Sequence, residues 1–380
     1  MSKLFSPITI PTSDGDGLEV RNRAFIAPMC QYSVTARDGI PTDWHLAHLG
    51  SLAQGGFGLV SIEATAVEAR GRISPEDVGL WNENQVETHR RITDFIHSQG
   101  AVAAVQLAHA GGKASTGSGF GGTTTGSLDE DQGGWDTVSS STRPTVPGLK
   151  TPHALTEAEI AGVVRSFAEA AARADEAGYD VIQIHAAHGY LIHQFLSPVI
   201  NDRTDSYGGS EENRTRLVRE IADAIREVWP ASKPLGIRIS GTDWIAGGWD
   251  IEASARLSED LVAHHGISWI DVSSGGFVGP DGTVDIPVGP AYQAPLAARV
   301  RAAVGHHVGH GAVGHAVVSA VGLIEEADQA ETILTLGTAD AISIGRAALR
   351  DPHWAGSAAK ALRVPARQNP IAEQFARGGW

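Results

Sequence analysis

Cysteine is almost absent: the 380 residues hold one, Cys30. A lone thiol excludes an intrachain disulfide and any cysteine cage for zinc or an iron–sulfur cluster. Positive charge is also short, with 29 Lys and Arg against 44 Asp and Glu, a formal net charge of -15. That balance works against nucleic acid or an anionic membrane face, both polyanions, and favours a small-molecule substrate. Long apolar runs are missing too. No stretch approaches the length of a membrane span, and the opening MSKLFSPITIPTSDGDG meets a proline and polar residues before it can build a signal-peptide core. We therefore expect a cytoplasmic protein. Neither GxSxG nor a Walker A pattern occurs, which weakens serine-hydrolase and P-loop readings.

What is present is a globular balance of 42% hydrophobic and 19% charged residues. Eight short runs rich in Val, Ile and Ala read as buried strands: AFIAPMC, GLVSIEATAV, AVAAVQLAHA, YDVIQIHAA, PLGIRIS, SWIDVSSG, HAVVSAVG and DAISIGRAA. Between them lie helical patterns, notably 156–178, with Thr156 and Glu159 placed as a capping box and Gly178 as a stop, and 210–229. Strands alternating with helices call for a parallel sheet, and eight repeats favour closure: an α/β fold, an eight-stranded parallel β/α (TIM) barrel forming one domain over 1–380. Chemistry in such barrels sits at the carboxyl ends of the strands.

Two segments interrupt the pattern. Residues 115–150, rich in Gly, Ser and Thr, follow the third strand and should form a long loop over the mouth. The run GHHVGHGAVGH, 305–315, precedes the seventh strand on the opposite side, where little chemistry is expected. Each contains a formal GxGxxG (Gly117, Gly119, Gly122; Gly309, Gly311, Gly314), but neither opens a helix directly after a strand, so both read as loop composition. No Asp or Glu stands among His306, His307, His310 and His315, and we assign no metal there. His45 and His48 share one helix face and read as packing.

The stretch HAAHGYLIHQFLSP, 185–198, sits differently. Val181, Gln183 and His185 alternate on one strand face, so His185 ends the strand pointing inward, with His188 and Tyr190 just beyond. A functional trio at the mouth is one reading; zinc ligation, with further ligands from other strands, is another. Cys30 closes the first strand, Gln106 lies in the third and Arg238 in the fifth. A buried strand arginine needs an anionic or electron-rich partner. Gly322 and Gly345 follow strands seven and eight, where many barrels bind phosphate, with Arg346 as counter-charge. A phosphorylated, amide-rich cofactor would satisfy Gln106, Arg238 and Arg346 together.

The segments LFSPITI, APMCQYS, IEATAV, GRISPEDVGLWNENQ, VQLAHAGGKA, the block AGYDVIQIHAAHGYLIHQFLSPVINDRTDSYGGSEENR, IRIS, IGRAALRDP and the terminal RGGW span nearly the whole chain. Together they resemble the Old Yellow Enzyme family, in its thermophilic-like ene-reductase subgroup. The resemblance implies tightly bound FMN, NADPH or NADH as reductant, and activated alkenes as oxidants. Position by position it implies that Ala27, Pro28, Met29, Cys30, Ala64, Gln106 and Arg238 contact the flavin, with Gly322, Gly345 and Arg346 at its phosphate. His185 and His188 match the pair that binds the substrate carbonyl oxygen, Tyr190 the proton donor, and Tyr32 the tyrosine that closes over the substrate. The tail 365–380 resembles one whose arginine, here Arg377, reaches a neighbouring subunit's site, which implies a homodimer or homotetramer. The alternative from the residues alone is a metal-assisted barrel hydrolase using His185 and His188.

Overall fold

Eight strands form a closed, all-parallel barrel in the computed structural model, which describes residues 2–120, 126–279, 282–305 and 316–380. They are β1 (Ala24–Ile26), β2 (Leu59–Ala66), β3 (Val102–Ala108), β4 (Val181–Ala186), β5 (Leu235–Ser240), β6 (Ile267–Ser273), β7 (Val317–Ala320) and β8 (Ala341–Ile344). Closure comes from β8 on β1, with Ile342 opposite Ala24 and Ile344 opposite Ile26. All eight expected runs supply these strands. Because helices cover the outside and side chains fill the inside, every residue of β2 and of β4 is buried.

The main covering helices are α1 (Asp43–Gln54), α2 (Val86–Ser98), α3 (Glu157–Glu176), α4 (Arg216–Val228), α5 (Ile251–His264), α6 (Ala294–Val304), α7 (Ala327–Thr335) and α8 (Trp354–Ala361). In α3 the Thr156 hydroxyl accepts from the amide of Glu159 at 3.3 Å, and the Glu159 carboxylate accepts from the amide of Thr156 at 2.8 Å. This is the expected capping box. Ile160, Val163, Phe167, Ala170, Ala171 and Ala174 are its buried face. The helix expected over 210–229 is divided at Thr215, whose hydroxyl turns back onto the carbonyls of Glu211 and Glu212.

One expectation needs correction. The first strand ends at Ile26, not Cys30, because Pro28 has no N–H with which to continue the ladder. Cys30 therefore sits on the loop above the barrel. Within 115–150, Val138–Ser139 pairs with His153–Ala154, and the hydroxyls of Ser140 and Ser141 donate to the carbonyls of Gln194 and Ile200. These bonds tie the excursion to the segment after β4. Its Phe120 packs edge-on against Tyr32, with ring centroids 5.3 Å apart. The histidines and glycines of 306–315 lie outside the described residues, as does Gly122.

His45 does structural work. Its Nδ1 accepts the amide of Thr42 at 2.9 Å, at the start of α1.

Candidate active site at the carboxyl end of the barrel

Strand parity places Gln183 and His185 inside. In register with β4, Gln106 of β3 donates its amide to the Gln183 side-chain oxygen at 2.7 Å. Beyond the strand the chain turns sharply through His188 (φ 60) and Gly189 (φ 74). That turn brings the His185 ring 5.1 Å from His188 and 4.9 Å from Tyr190, both edge-on. Nδ1 of His185 accepts the amide of Ala187 at 3.3 Å, so the proton of the neutral ring belongs on Nε2. For His188, the backbone N–H donates to Ser240 Oγ at 3.0 Å and Nε2 lies 2.8 Å from Ser273 Oγ.

The electrostatics suit neutral donors. Burial and then the Arg238 charge hold His185 and His188 well below the usual imidazole range. Burial, with Cys30 adding to it, pushes the Tyr190 phenol up, so the hydroxyl keeps its proton at neutral pH. Lys113, with its pKa lowered to about 8 by burial, donates to the carbonyl of His188 at 2.8 Å and lies 5.1 Å over the Tyr190 ring.

Arg238 finds its anion inside the barrel. Its Nε lies 3.0 Å from Asp271 Oδ2, on the neighbouring strand and in register with it. The other Asp271 oxygen accepts from Ser319 at 2.6 Å and Ser343 at 2.7 Å. The outer guanidinium nitrogens have no protein partner among the described residues, although Arg238 is 7% exposed. The expected pair of glycine turns also converges: Gly322, Ser343, Gly345 and Arg346 line one small cavity. Met29 lies beside Gly345, and Ala27 continues the β1–β8 ladder with one bond to the Ile344 carbonyl.

Above β2, the loop carrying Met29, Cys30 and Tyr32 rests on a buried carboxylate. Glu63 accepts the amides of Gln31, at 2.9 Å, and of Tyr32, which has left-handed backbone at φ 48. The Cys30 sulfur takes bonds from the Ala64 amide and from Tyr32. Burial, then Asp77 and Glu63, raise its pKa well above the usual thiol value, so it is a protonated thiol and not a poised nucleophile.

These carboxyls make stability depend on pH. Burial raises Glu63 to about 8 and Asp77 to about 7. A carboxyl with a raised folded pKa keeps its proton when folded after the unfolded chain has lost it, so stability falls as pH rises toward the folded value. Buried His45 and His89, lowered to about 4, are neutral in both states above pH 6.5 and do not oppose this. Between about pH 6.5 and 8 stability should fall, by up to about 1.4 kcal/mol per pH unit per group, and the thermal midpoint with it. Glu63→Gln should flatten that slope; an unaltered slope would remove Glu63 as its source.

The sequence reading missed Glu63, Asp77, Lys113, Asp271 and Ser273. A signal existed for Glu63 and Asp271, since each is a carboxylate inside a buried strand, the same argument that singled out Arg238. Arg377 does not join this cluster within the chain. It is exposed on a tail that packs elsewhere, with the Ala372 amide on the Gln54 carbonyl and Lys360 on the Gly379 carbonyl. Among the described residues no group of three or more His, Cys, Asp or Glu could hold a metal ion, and no helix is long and apolar enough to cross a membrane.

Comparison with known proteins bears on this site. A sequence profile of the NADH:flavin oxidoreductase / NADH oxidase family matches residues 3–364. An NADPH dehydrogenase of Listeria innocua is 44% identical over 362 residues, 95% of this chain and 96% of the relative. The NADPH dehydrogenase of Bacillus subtilis is 39% identical over 376 residues, 99% of each. Among solved structures, the old yellow enzyme homologue of Zymomonas mobilis matches with a TM-score of 0.74 at 26% identity, over 96% of this chain and 93% of that one. Morphinone reductase, at 24% identity, matches with a TM-score of 0.71 over 100% and 90%, a likeness of fold.

Proposed function

Because the chain belongs to the NADH:flavin oxidoreductase / NADH oxidase family, that of Old Yellow Enzyme, and is thus an FMN- and NAD(P)H-dependent oxidoreductase, we propose that it is an ene-reductase of the thermophilic-like subgroup. The residues present fit FMN. The Gln183 amide nitrogen is buried with no hydrogen-bond partner, and the buried Nε of Arg238, though 3.0 Å from Asp271, makes no hydrogen bond either. Ala27, Pro28, Met29, Cys30, Ala64, Gln106 and Arg238 would hold the ring system, and Gly322, Gly345 and Arg346 the phosphate. The chemistry that bound FMN would supply is hydride transfer, from NAD(P)H to the β-carbon of an α,β-unsaturated carbonyl.

The chain's own groups do the rest. His185 and His188 grip the carbonyl oxygen through N–H bonds and stabilise the negative charge that develops there. Tyr190 gives its phenolic proton to the α-carbon, a general-acid step. Tyr32 closes over the substrate. Cys30, a protonated thiol, would lie against the ring system and tune its potential. One site serves both half-reactions, so ping-pong kinetics are expected. The observation that carries this reading is the neutral His185 ring packed edge-on against both the neutral His188 imidazole and the protonated Tyr190 phenol at the mouth of the barrel. We further propose a cytoplasmic homodimer or homotetramer, with a small activated alkene as partner and Arg377 reaching a neighbour's site.

Colour tests this. Purified protein should be yellow, with an absorbance band that bleaches anaerobically on NADPH and returns on 2-cyclohexen-1-one. Colourless protein that stays inactive after incubation with FMN, yet hydrolyses esters or amides in a chelator-sensitive way, would sink the reading in favour of a metal-assisted hydrolase.

A further inference from the structure

An imidazole that must donate to a substrate oxygen while neutral has one N–H to give, so its tautomer decides whether it can act. For His185 the backbone makes the choice: Nδ1 accepts from Ala187, which leaves the proton on Nε2. Nε2 has no protein partner among the described residues. His188 has no such backbone donor. Its Nε2 faces a hydroxyl, which can give or receive, and its Nδ1 is the nitrogen without a protein partner.

The surrounding bonds resolve the ambiguity. Ser240 donates to the Gly275 carbonyl at 2.7 Å and accepts the amide of His188, so it is spent. Gln293 is oriented by its amide nitrogen, which donates to the Val321 carbonyl at 3.0 Å. Its oxygen already takes the Ser274 hydroxyl at 2.5 Å. The Ser273 proton therefore has two places to go: Gln293 Oε1 at 3.3 Å, which it would share with Ser274, or His188 Nε2 at 2.8 Å. Distance favours the imidazole: 2.8 Å is a short contact and 3.3 Å a long one for a hydroxyl donor.

The turn is also clamped so that this contact persists. A Cβ at Gly276 would collide with the Gly189 amide and the His188 carbonyl carbon, so the loop after β6 lies directly on the His188–Gly189 backbone. Lys113 joins the two backbones, donating to the His188 carbonyl at 2.8 Å and to the Gly276 carbonyl at 3.5 Å.

We propose that Ser273 is a positioning residue: its hydroxyl donates to Nε2 of His188 and sets the tautomer in which Nδ1–H is free for the substrate oxygen. The two unpartnered ring nitrogens, Nε2 of His185 and Nδ1 of His188, are then both donors. The value of this to catalysis rests on the ene-reductase reading, but the tautomer does not.

The test is long-range ¹H–¹⁵N NMR on flavin-loaded protein with ¹⁵N-labelled histidine, His188 being assigned by the signal lost in His188→Asn. In the wild type His188 should carry its proton on Nδ1. Ser273→Ala should give a mixture of tautomers and slow alkene reduction about five- to tenfold, the worth of one hydrogen bond; Ser273→Thr should restore both. A wild-type His188 protonated on Nε2 overturns the proposal without any variant, as does a Ser273→Ala protein with an unchanged tautomer. A missing flavin band in the same samples overturns the ene-reductase reading instead, whatever the tautomer.

Discussion

Tyr190→Phe should slow alkene reduction by about a hundred- to ten-thousand-fold while leaving reduction of the bound flavin by NADPH close to wild type. The substitution removes one hydroxyl and keeps the ring that packs 4.9 Å from His185 and beneath Lys113, so the imidazole pair should stay where it is. What disappears is a proton. Burial holds the phenol protonated through the working pH range, and no other acid stands with it in the trio of rings. Hydride delivery to the β-carbon would then wait on protonation of the α-carbon from water. Anaerobic stopped-flow separates the two half-reactions, following bleaching by NADPH and recovery of colour with 2-cyclohexen-1-one. Equal losses in both would mean that Tyr190 shapes the pocket and does not deliver the proton.

Periodicity made the barrel legible because its two ingredients leave distinct marks. Runs such as VIQIHA are buried on both faces and so nearly continuous in apolar character, while the α3 pattern repeats at helical spacing behind a capping box. The same parity argument aimed His185 inward correctly. It could not supply neighbours. Arg238 announced that it needed an anion, yet its partner Asp271 lies thirty-three positions on, and only closure of the sheet sets the two in register. Glu63 was hidden in the same way: its carboxylate serves amides of a loop that follows a different strand, and no local pattern relates position 63 to position 31. The 115–150 excursion shows a third limit. Gly, Ser and Thr read only as a long loop because hydroxyls carry no periodicity, whereas Ser140 and Ser141 fasten it by single bonds to specific carbonyls. Stabilisation by a few side-chain-to-backbone contacts leaves almost no trace in composition.

Removing the anion from the Arg238–Asp271 pair should be the most damaging change for the fold. The pair lies inside the barrel, with Asp271 fully buried, and two serine hydroxyls point at the oxygen that Arg238 does not use. Asp271→Ala strands the guanidinium without a counter-charge and orphans both hydroxyls, a loss of about 3–5 kcal/mol by the usual worth of half a buried ion pair. Asp271→Asn should fall between Ala and wild type, since an amide oxygen still accepts from Ser319 and Ser343 while the charge is gone. FMN should narrow these gaps, because a ligand that supplies acceptors to Arg238 stabilises the folded chain more when Asp271 is missing. Thermal midpoints at fixed scan rate, with and without excess FMN, give the ordering. The double variant Asp271→Leu, Arg238→Met separates charge from packing: two apolar groups leave no uncompensated ion, so it should be more stable than Asp271→Ala despite carrying one more substitution. If the double variant is the less stable of the two, lost packing and not a stranded charge is what Asp271 prevents.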